Sequence, residues 1–89
     1  MIDYSKYNIS EDDLEFLENI KEALGENCRN EVFLRYKDFL FMFEPYGDDV
    51  GVFSGDKSLG KYKNIEDLFL NFMVDGKPFI ERVEDIYYE

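Results

Sequence analysis

Glu31-Val32-Phe33-Leu34-Arg35-Tyr36-Lys37-Asp38-Phe39-Leu40-Phe41-Met42-Phe43-Glu44 holds two strand patterns of different kinds. Its first half sets Val32, Leu34 and Tyr36 against Glu31, Arg35 and Lys37, the period of two made by a strand with one face in a core and one in water. Its second half is apolar at every position from Phe39 to Phe43, so that strand needs cover on both faces. The pair reads as strands over 31–37 and 39–44, turning at Lys37-Asp38, with the second strand central in an antiparallel meander. One helical layer cannot cover both faces of such a strand, so the second cover must come from the N-terminal segment, the C-terminal tail or a second subunit.

Outward from this pair, Pro45-Tyr46-Gly47-Asp48-Asp49 is the next turn, 50–54 a third strand, 55–60 a loop, and 61–63 a short fourth strand. Upstream, Ser10 can accept the N–H of Asp13, and the acidic first turn Glu11-Asp12-Asp13 suits the positive end of a helix that runs to about Leu24, with Gly25 as its left-handed exit. Downstream, Asn64 caps a second helix whose Ile65, Leu68, Phe69 and Phe72 fall at i, i+3, i+4 and i+7, and Asp75-Gly76 ends it. Pro78 then opens a short third helix carrying Phe79, Val83 and Ile86 and ending near Tyr87-Tyr88. The expected fold is α+β: an N-terminal helix, a three- to four-stranded antiparallel meander and two C-terminal helices, in the order α-β-β-β-α-α. With 89 residues, 45% apolar and 18% aromatic, residues 1–89 make a single domain that closes a core without disulfides or metal.

Charge narrows the function. Asp and Glu number 21 against 10 Lys and Arg, a net charge of −11, so direct binding to nucleic acid or an anionic membrane is not expected. The longest apolar run, 39–43, is far short of the roughly 20 residues that span a bilayer, and the first residues carry no basic and apolar leader pattern, so a cytoplasmic location is the simpler reading. The lone Cys28 fits a reducing compartment and reads as a small, partly buried apolar residue. With no His, the usual nucleophile–base pairs and zinc ligand sets are missing, and no glycine pattern cradles phosphate; the chain is not expected to be an enzyme or to hold a cofactor. Asp48, Asp49 and Asp56 could gather around Ca²⁺ or Mg²⁺, but no EF-hand spacing is present and no metal site is assigned.

At about 100° per residue, Glu11, Glu15, Glu18, Glu22 and Glu26 share an arc of roughly 80° on the first helix, opposite Leu14, Leu17, Ile20 and Leu24. The neighbours in this ladder are three or four residues apart, and each like-charged pair costs about 0.2–0.5 kcal/mol. Only Lys21 is near within the helix; Arg29, Arg35, Lys61 or Lys63 could neutralise the row from elsewhere, and otherwise it is a solvated face or a docking surface for a basic protein partner. Tyr4 and Tyr7 are the nearest apolar anchors, unless they pack back onto the domain. The expected function is a non-catalytic acidic binding module, of the kind an immunity factor, an inhibitor or a nucleic-acid mimic is. The alternative is a homo-oligomeric accessory protein using the apolar strand 39–43 and the second helix, where Leu70 and Met73 lie off the buried stripe.

Tyr36-Lys37-Asp38, Phe43-Glu44-Pro45-Tyr46, Asn64-Ile65-Glu66-Asp67-Leu68 and Asn71-Phe72-Met73-Val74-Asp75-Gly76-Lys77 resemble small uncharacterised acidic proteins of low-GC Gram-positive bacteria and their mobile elements. The resemblance covers about half the chain and is a pattern of strands and a helix exit. It implies a bacterial or phage accessory protein and assigns no residue a role.

Overall fold

The computed structural model describes residues 2–25 and 29–89. The ladder's last carboxylate, Glu26, and the lone Cys28 lie outside the described residues. Helix α1 (Glu11–Ala23) begins where the capping chemistry requires, with Ser10 Oγ accepting the Asp13 N–H at 3.2 Å. Its exit differs from expectation. Gly25 is not left-handed; its N–H instead reaches Glu22 O at 3.1 Å, tightening the last turn.

Four strands follow: β1 (Val32–Tyr36), β2 (Phe39–Tyr46), β3 (Asp49–Ser54) and β4 (Lys57–Tyr62). Their pairings Tyr36↔Phe39, Tyr46↔Asp49 and Ser54↔Lys57 leave two-residue loops, each opened by a residue with left-handed backbone: Lys37 (φ 53°), Gly47 (φ 63°) and Gly55 (φ 60°). That turn hand matches the right-handed twist of paired strands. The loop expected over 55–60 is therefore only Gly55-Asp56, and the fourth strand is twice as long as expected. Pro45 is tolerated in β2 because it falls beyond Phe43, the last residue paired with β1, where β2 has only β3 beside it.

After Asn64 Oδ1 caps α2 (Ile65–Asn71) by accepting the Asp67 N–H at 2.8 Å, the chain departs from the expected two helices. Asp75-Gly76 is not a helix stop but the loop of a small hairpin, β5 (Met73–Val74) with β6 (Lys77–Pro78). Both loop residues are left-handed, with φ of 50° and 84°, as a type I′ turn demands and Asp-Gly supplies. Helix α3 (Phe79–Arg82) is one turn, followed by a 3₁₀ turn at Val83–Asp85. The tail expected to finish that helix is β7 (Ile86–Tyr88), antiparallel to β1 through Leu34↔Tyr88 and Tyr36↔Ile86. The fold is α+β as expected, but its sheet has five strands, ordered β4-β3-β2-β1-β7, with β2 in the middle.

All the helices cover one face of this sheet. Leu34, Phe41, Phe43 and Val52 point into a single core with Leu17 and Ile20 of α1, Leu68 and Phe69 of α2, and Phe79 and Ile80 of α3. Aromatic rings set the packing: Phe43 meets Phe79 edge-on at 5.1 Å between centroids, and Phe79 stacks on Phe69 at 5.5 Å. The result is two layers, 20 Å through its thinnest dimension. The opposite sheet face has no cover among the described residues: Ile2 of the N-terminal segment is buried on the helical side, and the tail is an edge strand. No helix among the described residues is long and apolar enough to cross a membrane.

Candidate interaction surfaces

Two surfaces stand out, on opposite sides of the molecule. Burial of Leu17, Ile20 and Leu24 fixes the rotation of α1, and the same rotation sends Glu11, Glu15, Glu18 and Glu22 into solvent, where all four are exposed. None of these four is ion-paired among the described residues. Three of the cations that could have reached them are engaged elsewhere: Arg35 Nε is 3.5 Å from Glu89, Lys61 Nζ lies 3.9 Å from the ring centroid of Tyr46, and Arg29 Nη2 donates to Gly47 O at 3.0 Å. The ladder thus keeps its mutual repulsion along the described part of its length.

The tyrosines beside it take the other course the sequence left open and pack back onto the domain. Tyr4 and Tyr7 pack against the core, and Tyr4 Oη is buried with no hydrogen-bond partner among the described residues. Burial, together with the negative charges of Glu18 and Glu66, holds the Tyr4 hydroxyl above its ordinary pKa of 10.0. The N-terminal arm is a structural strap.

The second surface is the outer face of the sheet. Register puts side chains in rows across the strands: Phe33, Met42 and Phe53 in one, Tyr87, Arg35 and Leu40 in the next. Phe33 is 51% exposed and Leu40 49%, both large for apolar side chains at the centre of a sheet. Phe53 lies back along its strand over Gly51, where a Cβ would sit 2.6 Å from its ring, so the absent side chain at 51 makes room for the ring. Phe33, Leu40, Met42 and Phe53 line a concavity of about 370 Å³ rimmed by Asp56 and Glu89. The sequence showed residues 33, 40 and 42 as apolar beside apolar neighbours; what it lacked was which side the helices would take. On α2 the buried stripe is Ile65, Leu68 and Phe69, and Leu70 is left exposed, as is Met73 of β5.

The three aspartates do not come together. Asp48 and Asp49 are at the start of β3 and Asp56 just past its end, separated by the length of a strand that spans about 17 Å. No group of three potential metal ligands exists among the described residues. A polar cluster does form between the β1–β2 turn and the β5–β6 hairpin: Tyr36 Oη donates to Asp75 Oδ2 at 3.0 Å, Lys37 Nζ is 3.7 Å from the same oxygen, and Arg82 donates to the carbonyls of Val74 and Asp75. Each group has its partner within the chain, so the cluster reads as a clamp on the hairpin. No protein-family model, curated protein or solved structure matches the chain.

Proposed function

We propose that the chain is a non-catalytic binding module whose acidic α1 face docks a basic protein. The observation that supports this most is the ladder's isolation: Glu11, Glu15, Glu18 and Glu22 are exposed, repel one another, and are left without a cation although Arg35 and Lys61 pair elsewhere. A row that costs about 0.2–0.5 kcal/mol per neighbour pair is accounted for by what it attracts. Charge of this kind acts chiefly on encounter, raising the association rate and making it salt-sensitive. The same reading sets the module in a reducing cytoplasm, in keeping with its single cysteine, as an accessory protein of a bacterium or mobile element.

The test uses Glu15→Gln/Glu18→Gln/Glu22→Gln. Partners of the unmodified chain are captured at low salt and eluted at high salt. Association of the eluted protein with each form is then timed at low salt. The triple variant should fold with unchanged or slightly raised stability and associate on the order of tenfold more slowly. An equal association rate for the two forms would remove the proposal.

A further inference from the structure

We infer that the outer face of the sheet is the interface of a symmetric dimer, its occupant a second copy of this chain packed face to face. The chemistry of the face is not that of a basic partner's site. Arg35 lies 3.5 Å from Glu89 with half of its side chain exposed, Lys61 lies over the Tyr46 ring, and the central row of Phe33, Met42 and Phe53 carries no charge.

Register supplies self-complementarity. A two-fold axis along β2 exchanges the strands on its two sides, because β1 and β3 flank it equally. Phe33 of one copy then lies over Phe53 of the other, since both pair with Met42. Leu40 and Met42 meet their own counterparts at the axis. Arg35 pairs with Leu40 on one side, and the β3–β4 turn flanks Leu40 on the other, where Ser54 Oγ donates to Leu40 O at 2.7 Å; the axis thus carries Arg35 of one copy onto Asp56 of the next. Two inner faces at about 10 Å, crossed by about 30°, are the usual packing of aligned sheets. Contact i to j matched by j to i is what a closed dimer requires.

Area and charge allow this. Five strands about 4.8 Å apart and about 3.4 Å per residue present a face on the order of 400 Å² in projection, about half of the ~800 Å² per partner of a standard interface, which puts the dimer at the small end of specific interfaces. Stacking by the open face also puts the two α1 ladders on the outer sides of the dimer, separated by about twice the 20 Å thickness of one copy. That is several screening lengths at physiological salt, about 8 Å each. Glu44 is the acid facing its own counterpart, at the end of the patch where the crossing angle spreads the sheets.

Sedimentation equilibrium of the full chain over a concentration series, at low and at 0.5 M salt, tests the inference. A dimer is expected, tightening with salt because copies of net charge −11 repel. A basic partner on α1 would show the reverse dependence. Leu40→Glu, on an exposed position that the core does not use, should weaken the dimer by about a hundredfold or more, since a two-fold interface carries the change twice. Arg35→Asp should weaken it less, and Arg35→Asp with Asp56→Arg should restore it. Circular dichroism and the association rate through α1 serve as the readouts that these variants leave alone. A strict monomer at several hundred micromolar in 0.5 M salt would overturn the inference and leave the face to a different protein, and so would a dimer indifferent to Leu40→Glu.

Discussion

Phe43 and Leu40 stand three residues apart on the same strand, equally apolar, and differ completely in surroundings: Phe43 is 0% exposed among Phe41, Phe72 and Phe79, whereas Leu40 is 49% exposed on the bare face. Burial in this fold is assigned by which side the helices occupy. The apolar character of the strand alone does not decide it. The contrast is large enough to measure. Phe43→Ala should cost about 3–5 kcal/mol, the transfer of a ring plus the cavity left behind. Leu40→Ala should stay within about 0.5 kcal/mol for the monomer. Urea denaturation at a concentration that keeps the chain monomeric reads both. Comparable losses would mean that the chain itself covers the outer face and that the two positions are alike.

The covered side is also tied by hydrogen bonds between elements, whereas the open side carries the exposed Arg35–Glu89 pair and Lys61 over the Tyr46 ring. Asp75 accepts from Tyr36 Oη at 3.0 Å and holds a left-handed backbone, φ 50°, that Asp and Asn tolerate better than other side chains. Asp75→Ala removes the acceptor and strains the turn together, and should cost about 1–2 kcal/mol. Asp75→Asn, which keeps an acceptor oxygen and the same backbone tolerance, should cost less than about 0.5 kcal/mol. Equal and negligible losses for both would show that the hairpin does not help hold the helical layer, leaving aromatic packing alone to distinguish the two sides.

Much of this was legible in the residues, and the misreadings have physical causes. The alternation of Val32, Leu34 and Tyr36 and the unbroken run from Phe39 to Phe43 placed β1 and β2 correctly, because a period of two is a direct imprint of half-burial. Ser10 and Asn64 marked the starts of α1 and α2, because capping is local chemistry. β4 was legible only at its end, as the short strand expected over 61–63; residues 57–60 were read as loop because an edge strand rich in Gly, Ser and Lys needs neither apolar face, and their place follows from pairing with β3. At the C-terminus, Phe79, Val83 and Ile86 have helical spacing, yet the free edge of β1 takes Ile86–Tyr88 as a strand. Tertiary pairing overrode the local period there, and the β-branched and aromatic residues suit it. Asp75-Gly76 carried a hairpin signal that its two-residue strands were too short to reinforce. Of the site, the exposed carboxylates 11, 15, 18 and 22 followed from helix geometry alone. The open sheet face followed in part: the unbroken run 39–43 called for cover on both faces, but nothing in it said which face the helices would leave bare.

The smallest effects come from tyrosines at the seam of the covered layer. Burial holds the hydroxyls of Tyr4, Tyr62 and Tyr88 above their ordinary pKa of 10.0, with Glu18 and Glu66 adding to the shift at Tyr4 and Asp67 at Tyr62. Each therefore keeps its proton in the fold at a pH where the unfolded chain has begun to lose it. The native state binds more protons between the two values, so this contribution is complete below pH 10 and is lost as pH rises through the folded values. The melting temperature should fall above pH 10 for this reason. Tyr4→Phe removes a buried hydroxyl with no partner among the described residues, so it should raise stability by about 1 kcal/mol at pH 7 and make the alkaline fall shallower. Tyr87→Phe, on the exposed face, is the control and should change monomer stability by less than about 0.5 kcal/mol. A loss at pH 7 for Tyr4→Phe would mean that the hydroxyl is bonded in solution. The N-terminal strap would then be held to the helical layer by a polar contact and not by ring packing alone.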